Sequence, residues 1–180
     1  PALAAALMLL ALRGNLALQR LLSVAAILGL CAIAAALLMS VTVTGPQAYF
    51  LGDWPAPFGI VLVLDRLSAL MLALLAGLAL PVVIYAIGSG WDARGAHFHP
   101  LLQFLLMGIG GAFLTGDAFN LFVFFEVMLI ASYGLMVHGG GAGRTRAGLQ
   151  YVAFNLVGSS LFLVALGLLY SVTGTLNLAD

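Results

Sequence analysis

The chain has 180 residues, 64% apolar and 7% charged, with six arginines against six acids and a mean hydropathy of +1.20. A soluble domain carries about 25% charged residues, so this composition excludes a soluble enzyme, and hydropathy this high excludes disorder. With no lysine and no basic patch, nucleic-acid binding is excluded as well.

What remains is an all-α membrane protein, a polytopic transmembrane helix bundle. A membrane barrel would alternate apolar and polar residues, and these runs are continuous. A spanning helix needs about 20 apolar residues. Residues 1–12 form an incomplete first span, and the chain begins with Pro1, so a fragment of a longer polypeptide is expected. The second span is expected at 21–43, followed by a polar, proline-containing external segment at 45–59. Further spans follow at 63–87, 100–115, 118–137 and 148–172, about six helices in one membrane domain over 1–180. Cys31 is alone, so no internal disulfide forms, and its apolar surroundings mark it as a packing residue. Asp65 and Asp117 are placed as N-caps of the third and fifth helices. Tyr49, Trp54, Trp91 and Tyr170 fall near span ends, where aromatic rings anchor at the interface. Gly108, Gly110 and Gly111 allow close helix approach, and Gly139–Gly141 reads as a flexible turn. His97 and His99 form an H-x-H pair in the loop before the fourth helix. Without further ligands nearby, that pair is a weak metal signal, and no metal and no cofactor are expected.

Arginines orient the bundle. Arg13 and Arg20 lie between the first two spans, Arg94 between the third and fourth, and Arg144 and Arg146 between the fifth and sixth. These loops alternate, so they share one side. The other side holds Asp53, Asp117 and Asp180, with Arg66 beside Asp65. By the positive-inside rule the arginine side is cytoplasmic and the N-terminus is outside.

Glu126 is the one acid away from span ends and loops. It follows Asp117 by nine residues, about 13.5 Å of helix, close to half of a roughly 30 Å hydrocarbon core. A charge at that depth costs several kcal/mol. The carboxyl can hold its proton, pair with a cation, or face water inside a bundle, and no lysine in this chain is available to it. Two readings follow: a proton or ion relay, or a protonated acid tying two helices together by a hydrogen bond. Tyr133 lies seven residues on, on the same face. Tyr151, Asn155 and Ser159 share one face of the sixth helix. His138 ends the fifth helix, where it can relay protons near neutrality or stabilise the helix terminus. The candidate proton path is therefore Tyr133, His138, Asn155 and Ser159, alongside ordinary interhelical hydrogen bonding.

The stretch FLTGDAFNLFVFFEVMLIASYGLMVH, residues 113–138, strongly resembles the D subunit of the Mrp-type multisubunit Na+/H+ antiporter. The resemblance continues through AGLQYVAFNLVGSSLFLVALGLLYSVTGTLNLAD at 147–180 and GDWPAPFGIVLVLDRLSAL at 52–70. That family is homologous to the antiporter-like membrane subunits of respiratory complex I and of membrane-bound hydrogenases. The resemblance implies a fold of about fourteen helices, of which this chain holds the first six, with a hairpin-like external segment over 45–59. It also implies that Glu126 is the essential glutamate of the fifth helix, working with a lysine beyond Asp180. Implied partners are the other subunits of a hetero-oligomeric complex in the bacterial cytoplasmic (inner) membrane, H+, and Na+ or K+. The leading expectation is a proton-translocating subunit of a cation/H+ antiporter, a secondary transporter and not an enzyme. An approaching cation favours the ionised carboxylate and its departure favours protonation. One alternative is a proton-pumping subunit of a complex I-like NADH:quinone oxidoreductase or hydrogenase. Another is a structural or assembly subunit that moves no ion.

Overall fold

The computed structural model describes residues 1–12, 14–54 and 59–179. Among them are six helices: α1 (Ala2–Leu10), α2 (Leu16–Thr44), α3 (Arg66–Gly88), α4 (Phe98–Leu114), α5 (Ala118–Met136) and α6 (Ala142–Thr173). Two short strands, β1 (Gln47–Phe50) and β2 (Val61–Leu64), pair antiparallel between α2 and α3. The expected all-α membrane bundle is thus present, with β1 inside the external segment 45–59 and β2 just beyond it. Four helices, α2, α3, α5 and α6, are long and apolar enough to cross a membrane. At 17 residues α4 is at the lower limit for a span, and α1 has nine.

Capping residues set where several helices begin. Asn15 accepts a hydrogen bond from the Leu18 amide at 3.1 Å, so α2 starts at Leu16, earlier than its apolar run. Gln19 and Arg20 therefore lie within α2 and not in the turn before it. Asp65 accepts from the Ser68 amide at 2.6 Å and starts α3. Asp117 accepts from the Asn120 amide at 2.6 Å and starts α5. Both aspartates are the N-caps expected. Residues 63 and 64, expected to open the third span, belong to strand β2 instead, and α3 starts at Arg66. Within the external segment 45–59, residues 55–58 lie outside the described residues, as do Arg13 and Asp180.

The core sits where α2, α3 and α4 meet, around Ile27, Ala79, Val83, Phe98, Leu102 and Leu106, with Cys31 packed at its edge. Next, α4 pairs with α5 at close range. A Cβ on Gly108 would stand 2.7 Å from the Met128 amide nitrogen, and one on Gly111 would run into the Phe124 ring. Small residues at these two positions bring the helix backbones together, as their sequence suggests. Gly110 faces α3 with ordinary clearance. At the hairpin end the chain is fastened by backbone. The Gly116 amide donates to the Val61 carbonyl, the Ala118 amide to Leu176, and the Leu178 amide to Gly116, each at 2.8 Å. At the opposite end α5 reverses into α6 through Gly139, Gly140 and Gly141. All three have positive φ (85°, 68° and 99°), which side-chain-bearing residues rarely adopt.

Candidate functional site

Glu126 lies midway along α5 and is half-buried. Its Oε1 is buried with no hydrogen-bond partner among the described residues. Buried polar atoms almost always find partners, so an orphaned oxygen calls for an explanation in function or in a missing group. Around it α5 and α6 meet through aromatic rings. Phe122 and Phe125 both pack edge-on against Phe162, at 5.8 and 6.4 Å between centroids. One face of α5 carries Glu126 and then Tyr133, whose ring meets Tyr151 of α6 edge-on at 5.6 Å. The Tyr151 hydroxyl shares a 2.9 Å hydrogen bond with Ser132. The structure thus brings Tyr133 and Tyr151 together. Asn155 donates to the Tyr151 carbonyl at 2.8 Å, and Ser159 to the Leu156 carbonyl at 3.3 Å, both within α6. His138 stands at the far end of α5, buried, its Nε2–H donating to the Trp91 carbonyl at 3.0 Å. Its ring packs on Phe98 at 5.3 Å.

A second polar cluster lies at that same end. Asp92, in a short 3-10 turn between α3 and α4, is fully buried. Arg20 grips it with two hydrogen bonds, Nε to Oδ2 at 2.6 Å and Nη2 to Oδ1 at 2.9 Å. His99 Nε2–H donates to Oδ2 at 3.1 Å. Burial alone would raise the Asp92 carboxyl. The Arg20 and His99 hydrogen bonds outweigh that and hold it below the usual aspartate value. His99 is no loop residue: it sits in the first turn of α4, fully buried, while His97 stands at the N-cap position without a side-chain capping bond. No group of three metal-ligating side chains exists among the described residues. Gln103, one turn on from His99, donates to the Ser23 carbonyl and hydroxyl at 3.3 and 3.2 Å. Trp91 completes the cluster. The sequence marks it only as an interfacial anchor, yet the guanidinium groups of Arg94 and Arg144 lie 4.7 and 4.4 Å from its ring centre. Arg20, Arg94 and Arg144, which the sequence puts on one side, all lie at this end. Sequence alone carries no signal for the Arg20–Asp92–His99 group, since its members lie 72 and 7 positions apart and on three different elements.

Comparison with known proteins bears on this arrangement. The family described as NADH:quinone oxidoreductase/Mrp antiporter, TM, matches residues 115–180, the segment that contains Glu126. The D subunit of a probable K+/H+ antiporter of Rhizobium meliloti is 61% identical over 136 residues, 76% of this chain and 25% of that protein. The D subunit of the Na+/H+ antiporter of Bacillus subtilis is 45% identical over 179 residues, 99% of this chain and 36% of that protein. Among solved structures, a chain of the Mrp complex from Dietzia sp. superposes with a TM-score of 0.91 at 34% identity, covering 98% of this chain and 34% of that one. A chain of the membrane-bound sulfane sulfur reductase, an archaeal respiratory membrane complex, superposes at 0.87 with 30% identity, covering 97% of this chain and 36% of that one. The chain spans between a quarter and about a third of the length of these relatives.

Proposed function

The chain is homologous to the D subunit of Mrp-type cation/H+ antiporters, and from that premise we propose that it is the proton-translocating part of such a subunit, with Glu126 as the relay. One observation carries the reading. The Glu126 carboxyl is held midway along a membrane-spanning helix with one buried oxygen unpartnered. A carboxyl so placed is stable when protonated, or when a cation comes beside it, and exchange between those two conditions moves a proton. Tyr133 lies on the same face of α5 as Glu126 and against Tyr151, and belongs to the proposed path. Asn155, Ser159 and His138 extend it along α6 and toward the arginine end through intervening water. The exchanged cation is Na+ or K+, both of which name relatives of this chain. The protein works with other subunits in a hetero-oligomer in the bacterial inner membrane, arginine end inward and N-terminus outward.

The test uses the full-length subunit in its complete complex. Glu126→Gln keeps the shape and a hydrogen-bonding amide but cannot carry a proton. In inside-out vesicles the variant is expected to assemble normally on native gels and to lose cation-driven dissipation of the pH gradient. Unchanged exchange would make Glu126 a helix tie and send the proton path elsewhere.

A second reading is favoured by the likeness to a respiratory membrane complex. There the same relay would be driven by redox chemistry in partner subunits. Proton movement that requires an electron donor, and ignores added Na+ and K+, would select it.

A further inference from the structure

We propose that the arginine-bearing end of the bundle holds the headgroup of an anionic glycerophospholipid, in a cleft between the α1–α2 turn and the loop before α4. The cleft has a volume of about 280 Å³. Gly14, Ala93 and Gly95 contribute little side chain to its walls, and Gln19 and Arg94 supply the polar groups.

Gln19 is 3% exposed. Its Nε2 donates to the Leu12 carbonyl at 2.8 Å, which fixes the amide's orientation. Its Oε1 is left buried without a partner among the described residues, in a side chain that lines the cleft. Arg94 supplies the opposite need. Its guanidinium is held over Trp91, and the Arg144 guanidinium lies over the same ring. Among the described residues the arginine–carboxylate pair is Arg20 with Asp92, so neither Arg94 nor Arg144 faces a carboxylate. Two like charges on one ring repel, and an anion between or beside them relieves that repulsion. Basic pockets of this kind between helices, at the membrane surface, bind anionic headgroups.

A second hollow, apolar and about 420 Å³, lies in the corner of α1 and α2 against Leu7, Leu12, Leu18 and Leu22. Ala11 and Leu12 line this hollow and Gly14 and Leu16 line the polar cleft, so the two open on neighbouring parts of the chain. Together the two hollows ask for a phosphodiester anion, a headgroup hydrogen-bond donor and an acyl chain. Phosphatidylglycerol has all three. Phosphatidylcholine lacks the donor and the net negative charge, and free phosphate lacks the chain.

The experiment uses the intact complex containing the full-length subunit and a phosphatidylglycerol with a photoactivatable acyl chain. Crosslinked peptides are mapped by mass spectrometry. Labelling is expected within residues 7–25. Arg94→Gln should reduce that labelling about tenfold, the effect of losing one charge-assisted contact. Arg94→Lys should retain most of it, and Arg146→Gln, at the same end but outside the cleft, all of it. Gln19→Leu should narrow the preference for phosphatidylglycerol over a matched phosphatidylcholine probe. Equal labelling of wild type and Arg94→Gln would overturn the proposal. So would equal labelling by the phosphatidylcholine probe, or suppression by millimolar inorganic phosphate, which would mark a site for free phosphate.

Discussion

Asp92 is fully buried and still carries charge, because three hydrogen bonds from Arg20 and His99 converge on its two oxygens. Removing one partner of an ion pair strands the other when that other is buried. Arg20→Ala leaves the buried Asp92 without its guanidinium and should lower the thermal unfolding midpoint of the purified subunit. Acid acts on the same group. The folded Asp92 carboxyl is depressed, so its stabilising effect is complete above the unfolded aspartate value of about 3.9. It is lost as pH falls through the lower folded value. A pH titration of the unfolding midpoint should show this acid-side loss in the wild type and a smaller one in Asp92→Asn. None of this is legible in the sequence. Arg20 stands among polar turn residues and reads as a topology signal, and nothing local points across 72 positions to an aspartate. Glu126 is legible, because a lone acid deep in an apolar run is conspicuous by its cost alone.

At the scale of elements, the α4–α5 pair depends on what is absent from two residues. Gly108 lies against Met128 backbone, which cannot turn aside. Gly108→Ala should therefore push the helices apart and destabilise by about 1–3 kcal/mol. Gly77→Ala, in α3 with open space around its Cα, should be neutral or slightly stabilising. A thermal-shift comparison of the two variants decides the matter, and equal midpoints would refute the close-packing account. The helices themselves are readable from hydropathy, and the starts of α3 and α5 from Asp65 and Asp117. Strand β2 is not. VLVL at 61–64 is apolar throughout and abuts a helical run, so only its pairing with β1 identifies it. The early start of α2 is hidden for the opposite reason, since Gln19 and Arg20 are polar and look like loop until their partners are known.

Taken whole, the molecule leaves most of α6 open. Leu149, Phe154, Leu161 and Val172 are 65–86% exposed, a surface that suits lipid or neighbouring helices and not water. Val157, near the middle of α6, is 62% exposed. Val157→Arg should disfavour insertion by about 2.5–3.5 kcal/mol on an insertion scale and so lower the inserted fraction. Thr145→Arg, near the helix start on the arginine side, should insert normally. Protease-protection mapping of the two variants in membranes separates them, and comparable insertion of both would argue that this surface does not meet lipid.

The two ends of the bundle are closed by different means. Main-chain amides and carbonyls join the hairpin, the α4–α5 turn and the residues after α6. Ionised and aromatic side chains join the other end. A clasp made of peptide groups is indifferent to pH and salt and to most substitutions. A clasp made of charges answers to all three. Acid and mutation should therefore loosen the arginine end first, with the helices splaying from a hairpin end that stays shut.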